Sequence, residues 1–241
     1  MIFEFGVFLA ASFLAAAAAT IAGFGSSTLL IPVATLFLDL RTSIFIVAVF
    51  HLFNNLFKIR AFWKSIDFTA FWQFGIPSVL LSFTGAALSS VLPISIIKSV
   101  LGAFLILYAL ISLLKPEMHF PKTRFSAVLG GGLSGLLAGL IGLGGAIRAA
   151  FLIGYQFAKQ VYIATSAIIA GVIDITRIPT YIFTDAVKDP VVYTWVPFLV
   201  VSAYFGVKAG KYLLGRISQD LFRKIVFSAL ILMGLKLLLF S

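Results

Sequence analysis

A few charged and polar residues stand inside long apolar runs, and their types are those of anion binding and proton movement. Arg148 sits in Ala146-Ile147-Arg148-Ala149-Ala150. A charge in a membrane interior costs about 3 to more than 10 kcal/mol unless it is paired or wet, so Arg148 needs a partner. Its planar guanidinium suits bidentate binding of an oxyanion; a fixed ion pair with Asp174 and snorkelling to the surface are the alternatives. His51, Asn54 and Asn55 fall at i, i+3 and i+4, on one helical face, and Asp174 and Arg177 fall at i and i+3 on another. An imidazole and an intramembrane carboxylate can both exchange protons, which makes His51, Asp174 and Arg177 the candidates for coupling. The same groups could instead pair with one another or bridge helices.

The second kind of signal is glycine. Ala22-Gly23-Phe24-Gly25-Ser26-Ser27 interrupts one apolar run, and Ile141-Gly142-Leu143-Gly144-Gly145-Ala146 interrupts another. Each glycine weakens a helix by roughly 1 kcal/mol relative to Ala. Several together invite a bend, and the freed backbone groups must then face protein or a watery cavity. Close packing of small residues is the other reading of such glycines. A broken helix offers N–H groups and the positive end of a dipole, worth about half an elementary charge, to an anion. The hydroxyls of Ser26, Ser27 and Thr28 either extend that cradle or cap the second half-helix. The substrate-binding candidates are therefore Gly23, Gly25, Ser26, Ser27, Asn54, Asn55, Gly142, Gly144, Gly145 and Arg148.

Composition tells what must position these residues. The chain has 241 residues, 61% apolar and 11% charged, against about 25% charged in an ordinary soluble domain. It reads as an all-α polytopic membrane protein, a multi-pass occupant of the cell membrane with the bilayer as its solvent. The formal charge of +10 is spread over short loops, where Lys and Arg set orientation, so nucleic acid is not the expected partner. With no Cys, disulfides, thiolate metal sites and Cys nucleophiles are excluded. Neither H-E-x-x-H nor G-x-x-x-x-G-K-[ST] occurs, so no enzyme, ATP machinery, cofactor or metal is expected. Glu4, with no Lys or Arg in the first four residues, argues against a signal peptide and for a mature first segment.

The chain repeats itself. Gly23 and Gly142, Asn55 and Asp174, and Lys58 and Arg177 are each 119 positions apart. Residues 1–114 form a first transmembrane repeat, 115–124 a hydrophilic cytoplasmic linker, and 125–241 a second repeat. Each repeat is expected to hold a Gly-broken helix hairpin and three spanning helices. The expected spans are 4–38, broken at Gly23, then 43–57, 68–90 and 94–114. In the second half they are 125–157, broken at Gly142, then 161–178, 191–205 and 225–240. Loop charges alternate between the halves: Lys58, Arg60 and Lys64 answer to Asp185, Lys188 and Asp189, while the uncharged turn 89–95 answers to Lys208, Lys211, Arg216, Arg223 and Lys224. The positive-inside rule then makes the repeats inverted, with Arg41 and Lys236 as exceptions. Inverted repeats point to a transporter with its site at their interface.

Two Gly-rich breaks, the first with Pro32 nine residues after Gly23, resemble those of the TauE/SafE family of membrane permeases, the sulfite exporters. Gly130-Gly131-Gly132-Leu133-Ser134-Gly135, Gly142-Leu143-Gly144-Gly145 and Ala164-Thr165-Ser166 match the second half of that pattern. Ser26 and Ser27, Ala146 and Phe151 depart from its Gly and Pro positions. The resemblance implies transport of a sulfur-containing anion such as sulfite or an organosulfonate. The expectation is a secondary carrier, with proton or sodium coupling and a homodimer both left open. An anion channel and a non-transporting membrane subunit are the alternatives.

Overall fold

The computed structural model describes residues 2–22, 25–115, 120–184, 191–213 and 219–239. Among these residues the chain forms ten α-helices, one 3-10 turn and no strand. The first half holds α1 (Ile2–Ala22), α2 (Ser27–Ala34), α3 (Leu40–Phe62), the turn Trp63–Ser65, α4 (Phe68–Val91) and α5 (Ile94–Leu114). The second half holds α6 (Arg124–Ile141), α7 (Gly144–Ile153), α8 (Lys159–Phe183), α9 (Val191–Leu213) and α10 (Gln219–Leu239). Among the described residues seven helices are long and apolar enough to cross a membrane: α1, α3, α4, α5, α6, α8 and α9. At 1.5 Å per residue, α2 and α7 are too short to do so.

Local chemistry sets several of the helix starts. Asp39, Asp67 and Thr123 stand at the N-caps of α3, α4 and α6, and their side chains accept from the N–H of Thr42, Ala70 and Ser126. Each such cap contributes about 1 kcal/mol. Gly142 ends α6 in the left-handed region at φ 78°, where a side chain would be strained, and its N–H donates to the Ala138 carbonyl.

Packing between helices is built on small residues. Along α6, Gly131, Gly135 and Gly139 meet the carbonyls of Phe74, Ser78 and Ser82 on α4, so closely that an added Cβ would collide with each. The matched order of the two number series makes α4 and α6 parallel. On the other flank, the Ser12 and Ser202 hydroxyls meet at 2.6 Å. Gly206 packs on Phe13 and Ala16, and Gly210 on Ala17 and Thr20, so α1 and α9 are also parallel. In contrast α3 and α8 are antiparallel: His51 meets Asp174, Gly171 faces Ile59, and the Asp67 N–H, just beyond α3, donates to Thr165. Antiparallel α5 and α10 cross where Gly102 and Gly234 touch, with Gly102 also against Leu238 and Gly234 against Ile106. Small residues allow backbones this close, which is how helices associate where lipid removes the hydrophobic drive.

Some boundaries differ from the sequence expectation. α3 runs from Leu40 to Phe62 rather than over 43–57, because Asp39 caps it three residues earlier. α9 extends to Leu213 and carries Lys208 and Lys211 on its last turns. Lys211 donates to the Ala61 carbonyl at 3.3 Å and lies 5.1 Å from the Phe62 ring. α10 begins at Gln219, so Arg223 and Lys224 belong to a helix and not to a loop. Arg216, Asp185, Lys188, Asp189 and the middle of the linker, 116–119, lie outside the described residues.

Candidate functional site

The two interruptions in the helices meet. A Cβ built on Gly145 would stand 2.8 Å from the N and Cα of Gly25, and one on Gly25 would stand 3.4 Å from His51 Nε2. Around this contact lies a buried polar cluster drawn from α2, α3, α7 and α8: Ser26, Ser27, Thr28, His51, Asn54, Asn55, Lys58, Arg148, Ser166, Asp174 and Arg177. Gly23 lies outside the described residues.

α3 supplies one face of the cluster. His51, Asn54, Asn55 and Lys58 recur at i, i+3, i+4 and i+7, so one stripe of the helix carries all four polar groups. Asn54 donates to Ser26 Oγ at 2.7 Å. Ser26 itself has helical φ and ψ and makes no capping bond with its side chain, so its hydroxyl serves Asn54 and not the start of α2. Asn54 Oδ1 and Thr28 Oγ1 are buried without a hydrogen-bond partner among the described residues.

α8 supplies the opposing face. Asp174 Oδ1 accepts from Arg177 Nε at 2.9 Å and lies 2.8 Å from Arg177 Nη2. Its Oδ2 lies 2.8 Å from His51 Nδ1 and 3.4 Å from Asn55 Nδ2. Asp174 therefore ties α3 to α8 and pairs within its own helix. Arg177 Nη1 donates to the Ala138 carbonyl at 2.6 Å, and the Tyr181 hydroxyl donates to Gly139. Both bonds fall on carbonyls of the last turn of α6, where the dipole is negative, and at Ala138 the guanidinium adds to the bond from the Gly142 N–H. Arg177 is buried, not snorkelling.

Arg148 is different. Its Nε donates to Ser166 Oγ at 2.9 Å, it makes no ion pair with Asp174, and at 2% exposure it does not reach the surface. Together with Gly25, Asn55, Lys58, Ser166, Ala19, Ile163 and Ala167 it lines a cavity of about 10 Å³, room for roughly one water molecule. Of the residues nominated from sequence, Gly25, Asn55 and Arg148 line this cavity. Gly142, Gly144, Gly145, Ser26, Ser27 and Asn54 lie outside its wall, and His51, Asp174 and Arg177 form the adjoining ion-paired network. Lys58 and Ser166 also line the cavity and lie outside the set expected from sequence. Lys58 had a signal all the same: it extends the His51, Asn54, Asn55 stripe by one turn and shares the 119 offset with Arg177.

The sequence model of the sulfite exporter TauE/SafE family matches residues 8–237. The chain belongs to that family. Searches of curated proteins and of solved structures return no match. TauE/SafE proteins are membrane sulfite exporters or permeases, and the helices described above suit a multi-pass member. The cluster lies within the stretch that the family model matches. No group of three or more His, Cys, Asp or Glu side chains that could hold a metal occurs among the described residues.

Proposed function

We propose that this TauE/SafE protein is a secondary carrier of a small anion in the cell membrane, alternating access around the cavity between the two helix breaks. One observation carries the reading: two buried basic side chains, Lys58 from the first half and Arg148 from the second, line the same cavity, and neither is ion-paired among the described residues. Buried charge without a counter-charge costs several kcal/mol, so such a site is stable when it can take up an anion. Sulfite, an organosulfonate or another sulfur oxyanion fits both the guanidinium fork and the family.

The inverted repeat is part of this proposal, and the packing supports it. Under the exchange of α1 with α6, α2 with α7, α3 with α8, α4 with α9 and α5 with α10, the parallel pair α4–α6 becomes the parallel pair α9–α1. The pairs α3–α8 and α5–α10 map onto themselves and are antiparallel, as helices related by an axis in the membrane plane must be. Parallel repeats would make them parallel. Asn55 and Asp174, equivalent by the 119 offset, stand 3.4 Å apart, as positions near such an axis do. The site then lies at the repeat interface, where carriers of this architecture bind substrate.

Within the same reading, His51 and Asp174 carry the coupling proton. Asp174 joins the polar face of α3 to that of α8, so a change of charge there acts on both halves at once. Cavity size favours a carrier over a channel: room for about one water is not an open conduction path. The test is counterflow in proteoliposomes loaded with sulfite. Saturable uptake of label, accelerated by unlabelled anion on the far side, is expected; conductance at channel rates would replace the carrier with a pore.

A further inference from the structure

We infer that Lys58 and Arg148 form a two-cation clamp that sets the charge of the bound species, favouring a compact dianion over a monoanion. The inference rests on the anion-carrier reading above and adds to it the charge class and a specificity-determining residue, Lys58.

The argument is one of charge balance around the cavity. Lys58 is 4% exposed and Arg148 2%, and they approach from α3 and α7. Arg148 uses Nε on Ser166. Its two Nη groups, and Lys58 Nζ, have no hydrogen-bond or ion-pair partner among the described residues. The other titratable and charged groups packed against this region are His51 on α3 and Tyr162, Asp174 and Arg177 on α8. Asp174 is the only buried carboxylate among the described residues, and both its oxygens are taken, Oδ1 by Arg177 and Oδ2 by His51 and Asn55. Asp174 and Arg177 cancel, while His51 and Tyr162 are neutral in their ordinary buried forms. With Lys58 protonated, two positive charges face the cavity without a counter-charge, and like charges sharing a site raise each other's cost until an anion joins them.

A monoanion would neutralise one of them and leave the other buried alone. A small dianion with oxygens on two sides meets both, the guanidinium through two parallel N–H groups and the ammonium as a point charge. Room for about one water at present means that any oxyanion must part the walls, and a compact ion parts them least. The asymmetry of the clamp also follows from the fold. At the position equivalent to Lys58 stands Arg177, which the second half has committed to Asp174 and to the end of α6.

The experiment uses the purified full-length protein at constant ionic strength. Sulfate and thiosulfate serve as dianions, methanesulfonate and nitrate as monoanions. Binding is measured by calorimetry and by competition against flux in proteoliposomes. The wild type should bind the dianions about ten-fold or more tightly than the monoanions, since close buried charge pairs are coupled by more than one factor of ten. Lys58→Gln should weaken dianion binding about ten-fold or more beyond any weakening of monoanion binding. Lys58→Arg, which keeps the charge, should restore the preference and separates a lost charge from a lost fold. Equal binding of the two classes by the wild type, or equal weakening of both by Lys58→Gln, overturns the clamp while leaving an anion carrier in place. No binding and no flux with any anion would remove the carrier reading itself, and the clamp with it.

Discussion

Gly25 and Gly145 touch through their backbones, and the contact is unequal: a Cβ on Gly145 would lie 2.8 Å from both N and Cα of Gly25, whereas one on Gly25 would lie 3.3 Å from the Cα of Gly145. The first spacing cannot be accommodated without moving backbone, while the second asks for a few tenths of an ångström. Gly145→Ala should therefore destabilise by about 1–3 kcal/mol, the usual cost of overpacking, and should slow transport. Gly25→Ala should do both to a smaller degree. Thermal unfolding in detergent and initial flux rates measure the pair. If Gly25→Ala is the more damaging, steric contact between the breaks is not what the glycines provide.

Asp174 holds three partners at once, so removing its charge should be costly. Asp174→Asn leaves Arg177 buried with its main counter-charge gone and is expected to destabilise by about 3–5 kcal/mol. Adding Arg177→Gln should recover much of this, because a pair deleted together strands no charge. The two variants together also test coupling. If the double variant folds and still transports with an unchanged response to a pH gradient, the His51–Asp174 pair is structural only.

How far the sequence revealed this arrangement depends on the residue. The helical segments and the polar stripe on α3 follow from spacing, because helical periodicity acts locally. The pairing of Asp174 with Arg177 was one of two local readings, and only the approach of α3 from the other half brings His51 to the second oxygen. Lys58 illustrates the limit. At the end of an apolar run, beside Arg60, it resembles an interfacial lysine, and although it extends the polar stripe of α3, only the approach of α7 and α8 encloses it. Arg41 is the converse. Its charge is an exception to the positive-inside pattern, and its guanidinium donates to the carbonyls of Ser89, Ser90 and Leu92 at the end of α4. There it satisfies orphan acceptors and a helix dipole, and does not orient the chain.

Arg148→Ala should weaken oxyanion binding about thirty-fold or more without unfolding the protein, since among the described residues the side chain makes one hydrogen bond and leaves its outer nitrogens to the cavity. Losing a buried, hydrogen-bonded charge partner costs about 2 kcal/mol or more, which is about thirty-fold in affinity. Ser166→Ala should have a smaller effect on half-saturation, because it frees the guanidinium to rotate but keeps its charge. Flux and calorimetry on both variants check the order. Unchanged binding by Arg148→Ala would retire it from the site.

The last prediction concerns which ends share a side of the membrane. α4 and α6 are parallel, so their N-caps, Asp67 and Thr123, must lie on one side, and the exposed Lys64 with them. α8 runs against α3, so Thr184 at its C-cap lies with Asp39, and Arg41 bonds to the end of α4 there. Single cysteines at Lys64 and Thr123 should be labelled by an impermeant maleimide only after the membrane is opened, because the basic loops favour the cytoplasm. A cysteine at Thr184 should be labelled in intact cells. The reverse pattern at all three would flip the protein and leave the inverted repeat standing. Labelling Lys64 and Thr184 from the same side would instead break it, because they follow the ends of the equivalent helices α3 and α8, which an in-plane axis puts on opposite sides.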